Sequence, residues 1–219
     1  MSVISGPFTR RAKCQILQKN NFIMKRFIVA FVFMMFGLAL SAQVPTSAII
    51  MNGQDPETRL RSLGTESKTV RNGLTDEHPL ELALLALETP AGWQYSITVT
   101  VAESISRPLP ENGLLLLKTT TGEVIELTNH CDALTSQDFE GDLVPGTSSF
   151  IYRNLGGYSA TMDQLIKIGR EGVQKLRIQT SSGYYETVYK KEQWGGVMTA
   201  HIRAIQGEIR KNKDIRSDF

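Results

Sequence analysis

Asn129-His130-Cys131-Asp132 sets an acid, a base and a nucleophile side by side. A cysteine hydrolase needs its Cys and His adjacent in space, and usually draws them from distant parts of the chain. Neighbours along a strand point to opposite faces, so this spacing predicts a strand end with a small buried thiol rather than a catalytic pair. Asp138, Glu140 and Asp142, with Gly141 among them, offer hard oxygen ligands that suit calcium. Their spacing is not that of an EF-hand, which places Gly after its third ligand and a Glu further on. A solvated acidic loop is the expectation, and no bound metal. His201 has no second His four residues away, so it reads as a core or rim histidine.

Tyr184, Tyr185, Tyr189 and Trp194 lie close together in sequence. Exposed aromatics on a sheet stack on sugar rings or anchor a protein partner. Strand alternation buries about half of such a group, so core packing competes with binding at each. No Gly-rich phosphate loop, Gly-x-Ser-x-Gly elbow or Cys-x-x-Cys occurs, so no cofactor is expected.

These residues sit behind an export segment. Met24–Ala42 reads MKRFIVAFVFMMFGLALSA: two basic residues, an uncharged run of 14 residues from Phe27 to Leu40, then small residues. That is the three-part pattern of a secretory signal peptide, cleaved after Ser41 or Ala42. The apolar run is short for a membrane span, which needs roughly 17–25 residues. Uncleaved, it would be the chain's one contact with a membrane. Residues 1–23 carry Arg10, Arg11, Lys13 and Lys19 and no acid. They read as an extension upstream of a start at Met24, or as a long basic leader.

Processing changes the charge. The whole chain has 24 Lys+Arg and 22 Asp+Glu, a net +2. Residues 1–42 hold six bases and no acid, which leaves 18 against 22 and a net −4 on the remaining 177 residues. No basic stripe is left to neutralise phosphates, so no nucleic-acid partner is expected. Of Cys14 and Cys131 only Cys131 remains, so no internal disulfide holds the fold.

The elements that would position these residues follow from periodicity. Residues 43–79 are rich in turn signals (Asn52-Gly53, Asp55-Pro56, Asn72-Gly73) and read as a flexible arm, with one short edge strand at Ala48–Met51. Leu80–Glu88 leans to a strand between Pro79 and Pro90, although its Leu, Ala and Glu also suit a helix. In Trp93–Ser104, Tyr95, Ile97, Val99 and Val101 alternate with Ser96, Thr98, Thr100 and Ala102, the mark of a half-buried strand. Leu114–Thr119 and Glu123–Asn129 form a hairpin, its first strand central and covered on both faces. Asp132–Thr147 reads as a polar loop. Ser148–Ser159 is a further strand, with a bulge or turn at Gly156-Gly157.

Thr161-Met-Asp-Gln164 is a capping box, opening a helix that carries Leu165 and Ile166 inward and stops near Gly169 or Gly172. Val173–Thr180 and Tyr184–Lys190 make a second hairpin around Ser181-Ser182-Gly183. Trp194, Val197, Met198, His201, Ile202, Ile205 and Ile209 fall at steps of three and four, an amphipathic helix. Residues 213–219 read as a frayed tail. The expected fold is α+β: about seven mostly antiparallel strands, as a sheet or sandwich, within a single domain over residues 80–212. A short capped helix and a C-terminal helix pack on it.

The run of capped helix, strand, turn, Tyr- and Lys-rich strand and closing helix resembles uncharacterised small exported proteins of Gram-negative gut bacteria. The Leu-Ser-Ala-Gln end of the export signal fits the same group. The resemblance implies a periplasmic or secreted location and no particular activity. The leading expectation is an exported, non-enzymatic module that binds a protein or glycan at the cell envelope. A hydrolase using carboxylates of the 132–147 loop, or a structural envelope component, are the alternatives.

Overall fold

The computed structural model describes residues 46–71, 80–141, 148–190 and 193–217. The signal segment, His78 and Asp142 lie outside them.

Eleven strands and two helices make up the described residues. In chain order they are β1 (Ile49–Gln54), β2 (Arg61–Thr65), β3 (Lys68–Val70), β4 (Leu80–Thr89), β5 (Gly92–Glu103), β6 (Leu114–Thr119), β7 (Val124–Thr128), β8 (Leu134–Gly141), β9 (Ser148–Ala160), α1 (Met162–Glu171), β10 (Val173–Thr180), β11 (Gly183–Val188) and α2 (Trp194–Ser217). The large sheet runs β1-β2-β4-β5-β9-β8, with β3 also on β4; the small sheet runs β11-β10-β6-β7. Every strand pairing is antiparallel, and α2 packs on the large sheet.

Leu80–Glu88 is a strand. Its even positions Leu80, Leu82, Leu84 and Ala86 face the core beside Ile97, Val99 and Val101 of β5. Leu115 and Leu117 of β6, Leu176 and Ile178 of β10, Leu165 and Ile168 of α1, and Trp194, Met198, Ile202 and Ile205 of α2 complete one cluster. The capping box forms as its sequence requires. Gln164 N donates to Thr161 Oγ1 at 3.2 Å, and Thr161 N donates to Gln164 Oε1 at 2.8 Å. The helix stops at Gly172, whose φ of +71° suits a residue without a Cβ.

Several expectations are corrected. The stretch read as an arm holds β1, β2 and β3, with Leu63 and Val70 buried. Its turn signals are real: Asp55 Oδ1 accepts from the backbone N–H of Glu57 and Thr58, both at 2.8 Å, and closes the β1–β2 turn. What periodicity did not show is that β2 and β3 gain their ladder from the Leu-rich β4. The segment read as a loop over 132–147 is strand β8 as far as Gly141, paired with β9 from Leu134–Leu155 to Gly141–Ser148. Gly156-Gly157 is no bulge, since β5 and β9 keep one register from Tyr95–Ala160 to Glu103–Tyr152. Ser96, Thr98 and Thr100 are buried rather than solvated. Leu114 and Leu116 are only half-buried, so β6 is central but covered fully on one face alone. In α1, Ile168 turns inward and Ile166 outward. The tail continues α2 as far as Ser217.

Candidate functional site

Cross-strand pairs place one set of side chains on the face of the small sheet that looks away from the core. Arg177 stands opposite Glu186 on one side and Leu116 on the other; Leu116 in turn stands opposite Glu126. Gln179 pairs with Tyr184, and Lys175 with Val188. Period-2 alternation thus sets Tyr184, Glu186 and Val188 outward and Tyr185 inward.

Tyr184 is 60% exposed, and its ring carries the Arg177 guanidinium carbon 5.4 Å from the centroid. Glu186 holds that guanidinium: Arg177 Nε donates to Oε2 at 2.7 Å, while Lys175 Nζ lies 2.6 Å from Oε1. Hydrogen bonds from Lys175 and Arg177 hold the Glu186 carboxyl below its ordinary range. The result is an exposed aromatic ring with an ordered cation beside it, on a sheet face that also carries exposed Val188 and half-buried Leu114 and Leu116. Such a surface can stack on a sugar ring or seat an apolar side chain, and Arg177 supplies donors beside it.

The other three aromatics of the predicted cluster are in the core. Tyr185, Tyr189 and Trp194 are all buried, with the Tyr189 and Trp194 ring centroids 6.3 Å apart at 66°. Tyr189 follows Val188 in the same alternation, and its N–H donates to Gln174 O at 2.8 Å, one step beyond the Lys175–Val188 pair, so its ring faces inward with that of Tyr185. Arg177 and Glu186 were not singled out from the sequence. The signal for them was the opposite charge on two facing hairpin strands, which only the register makes a pair.

Of the acidic candidates, Asp138 is engaged elsewhere. Asp138 lies on β8, where Arg153 Nε donates to its Oδ2 at 2.7 Å; Arg153 Nη1 also reaches Glu81 Oε1 at 3.2 Å. A hard-oxygen cation site needs carboxylates free to ligate, and this one already neutralises a guanidinium. The side chain of Glu140 and all of Asp142 lie outside the described residues. Among the described residues no group of three His, Cys, Asp or Glu is placed to hold a metal ion.

His130 and Cys131 do not point apart. Both meet the large sheet at Gly157, whose missing side chain leaves room for the Cys131 thiol and, beside it, the His130 ring. His130 is placed by Ser159 Oγ, 3.1 Å from Nδ1, and by its own N–H, which donates to Gly157 O at 2.9 Å. Buried Asn129 organises the corner. Its Oδ1 accepts from Cys131 N and Gly157 N at 3.1 and 3.0 Å, and its Nδ2 donates to Leu109 O and Pro110 O at 3.3 and 2.9 Å. Burial pushes the thiol up to about 11, with Asp132 and Glu111 adding to the shift. A thiol so held is a poor nucleophile at neutral pH. His201 is buried, with Nδ1 2.7 Å from Ser47 Oγ. No protein family, curated protein or solved structure matches this chain.

Proposed function

We propose that the chain is an exported, non-enzymatic binding module that docks a protein or glycan at the cell envelope through the open face of its small sheet. Export is supported by the basic, apolar and small-residue segments of Met24–Ala42. The likeness of the last third to small exported proteins of Gram-negative gut bacteria agrees with that location. The binding role rests on one observation: Tyr184 is the exposed member of its aromatic group and is held in place by Arg177. A large apolar ring left in water on a rigid sheet, with its cation already ordered, loses little further freedom when a partner covers it.

The test is co-sedimentation of the mature protein with an isolated cell-envelope fraction, before and after protease treatment of that fraction. The wild-type protein is expected to sediment and Tyr184→Ala to remain largely in solution. Loss of binding after proteolysis identifies a protein partner, and survival a glycan. Equal sedimentation of the two variants overturns the role given to Tyr184, and leaves a structural envelope component as the better reading.

A further inference from the structure

The β11 edge of the small sheet carries hydrogen-bonding groups in a self-complementary order. Among the described residues, β11 pairs with β10 alone. The Tyr189 N–H donates to Gln174 O, so the pairs in step with it, Leu176–Thr187, Ile178–Tyr185 and Thr180–Gly183, are those that exchange bonds across the ladder. Tyr184, Glu186 and Val188 therefore turn their N–H and C=O groups to the open edge, where none bonds to a described residue. Native sheets guard such an edge with bulges, charges or a covering segment. The other three edges show this: β1 shifts register between Ile49 and Met51, β7 runs into a bridge to β9 at Asn129–Tyr158, and β8 carries Asp138 and Glu140. Strand β11 keeps one register from Lys175–Val188 to Thr180–Gly183. Its outward apolar side chains, Tyr184 and Val188, are exposed. Its single charge, Glu186, is already held by Lys175 and Arg177.

We propose that this edge pairs with the same edge of a second copy of the chain, joining two small sheets into one continuous sheet. An antiparallel pairing about a two-fold axis at Glu186 sets Tyr184 of each copy opposite Val188 of the other, with the two Glu186 residues facing at the centre. Every outward N–H and C=O of Tyr184, Glu186 and Val188 then has a partner. Each Tyr–Val pair joins an aromatic to a β-branched side chain, a favourable cross-strand neighbour. A foreign basic strand gains little at Glu186, because two cations already hold its carboxylate. The same cations let the two carboxylates stand opposite each other, where bare like charges would repel. Pairing confined to one short strand buries less than the roughly 1,200 Å² at which stable interfaces begin, so the dimer is weak and forms with concentration. The sheet faces stay open, and the joined sheet presents two Tyr184 rings on one side. The pairing does not depend on what those rings bind.

The test is sedimentation velocity of the mature protein alone, at concentrations from about 1 μM to about 1 mM. A monomer at the lower end is expected to become a dimer toward the upper end. Hydrogen exchange at both ends should show the amides of Tyr184, Glu186 and Val188 slowed only in the dimer, and those of Tyr185 and Thr187 slow throughout. Val188→Pro removes an outward N–H and no bond to β10, a replacement that an edge strand tolerates. It should stay monomeric at every concentration. Lys175→Ala with Arg177→Ala bares the central carboxylates and should raise the dissociation constant about tenfold; adding Glu186→Gln should reverse that loss. These side chains are at the surface, so the second set of variants reads the edge even if the proline variant fails to fold. A protein that stays monomeric at about 1 mM, a dimer whose outward β11 amides exchange as fast as in the monomer, a folded Val188→Pro that still dimerises, or a loss that Glu186→Gln does not reverse overturns the proposal. No envelope fraction is present, so each outcome is independent of the partner of the Tyr184 face.

Discussion

The Cys131 thiol occupies the space in front of Gly157 where any other residue would carry its Cβ. The two residues come from segments that meet only because His130 N donates to Gly157 O and Asn129 bridges to Tyr158 on β9. A methyl group at Gly157 would overlap the sulfur, and both are backed by buried structure. Gly157→Ala should therefore cost about 1–3 kcal/mol, the usual range for overpacking. Cys131→Ala opens the same space, so the double variant should recover part of that loss, read as a coupling energy in a double-mutant cycle of urea melts. Additive losses would show that the contact does not limit packing there. A thiol reagent at pH 7 should label Cys131 slowly, as a thiol pushed up to about 11 by burial requires.

His201 makes stability depend on pH. Burial pushes it down to about 4 from the ordinary 6.5, and Lys68 lowers it further, against opposing effects from the Leu82 backbone and from Glu66. Below 6.5 the unfolded chain takes up a proton that the folded protein refuses. Its contribution is thus fully present above pH 6.5, falls as the pH drops, and is gone by about pH 4. The loss amounts to roughly 3 kcal/mol across that window. Thermal melts between pH 7 and pH 4 should show this slope, and His201→Gln should flatten it whatever it does to stability at pH 7. An unchanged slope in the variant would assign the acid sensitivity to other groups.

The apolar stripe of α2 gives the sharpest packing contrast. Ile205 is fully buried and Ile202 nearly so, whereas Arg203 between them is exposed. Ile205→Ala should cost about 2–5 kcal/mol, and Arg203→Ala no more than about 0.5 kcal/mol. Gln206, one turn from Ile202 on the same helix, is half-buried, with its Nε2 3.7 Å from Met162 Sδ. Denaturant midpoints of the single variants decide the matter: equal midpoints for Ile205→Ala and Arg203→Ala would mean the helix face is not part of the core.

The mature protein should begin at Gln43, or at Ala42 if cleavage follows Ser41. N-terminal sequencing of protein recovered from the periplasm or medium checks this. Recovery of an intact Met24–Ala42 segment in the membrane fraction would replace the cleaved signal with an anchor.

What the sequence determined by itself is what local physics determines. The alternation of Tyr95, Ile97, Val99 and Val101 against Ser96, Thr98 and Thr100 defines β5. Thr161 and Gln164 start α1, and the three-and-four spacing from Trp194 to Ile209 lays α2 on its buried side. In each, the residues that specify the element lie within a few positions of one another. The tertiary structure decided the rest. Strands β2, β3 and β8 carry Ser, Gly, Thr, Gln and Asp, and little in their own side chains separates them from loop. Their ladders come from β4 and β9, which lie at a distance along the chain. Likewise the four aromatics near residue 190 look alike in sequence. Exposure was settled by which sheet face the β10–β11 pairing gave the strand, which sets Tyr184 outward and Tyr185 and Tyr189 inward, and by α2, which carries Trp194 into the core.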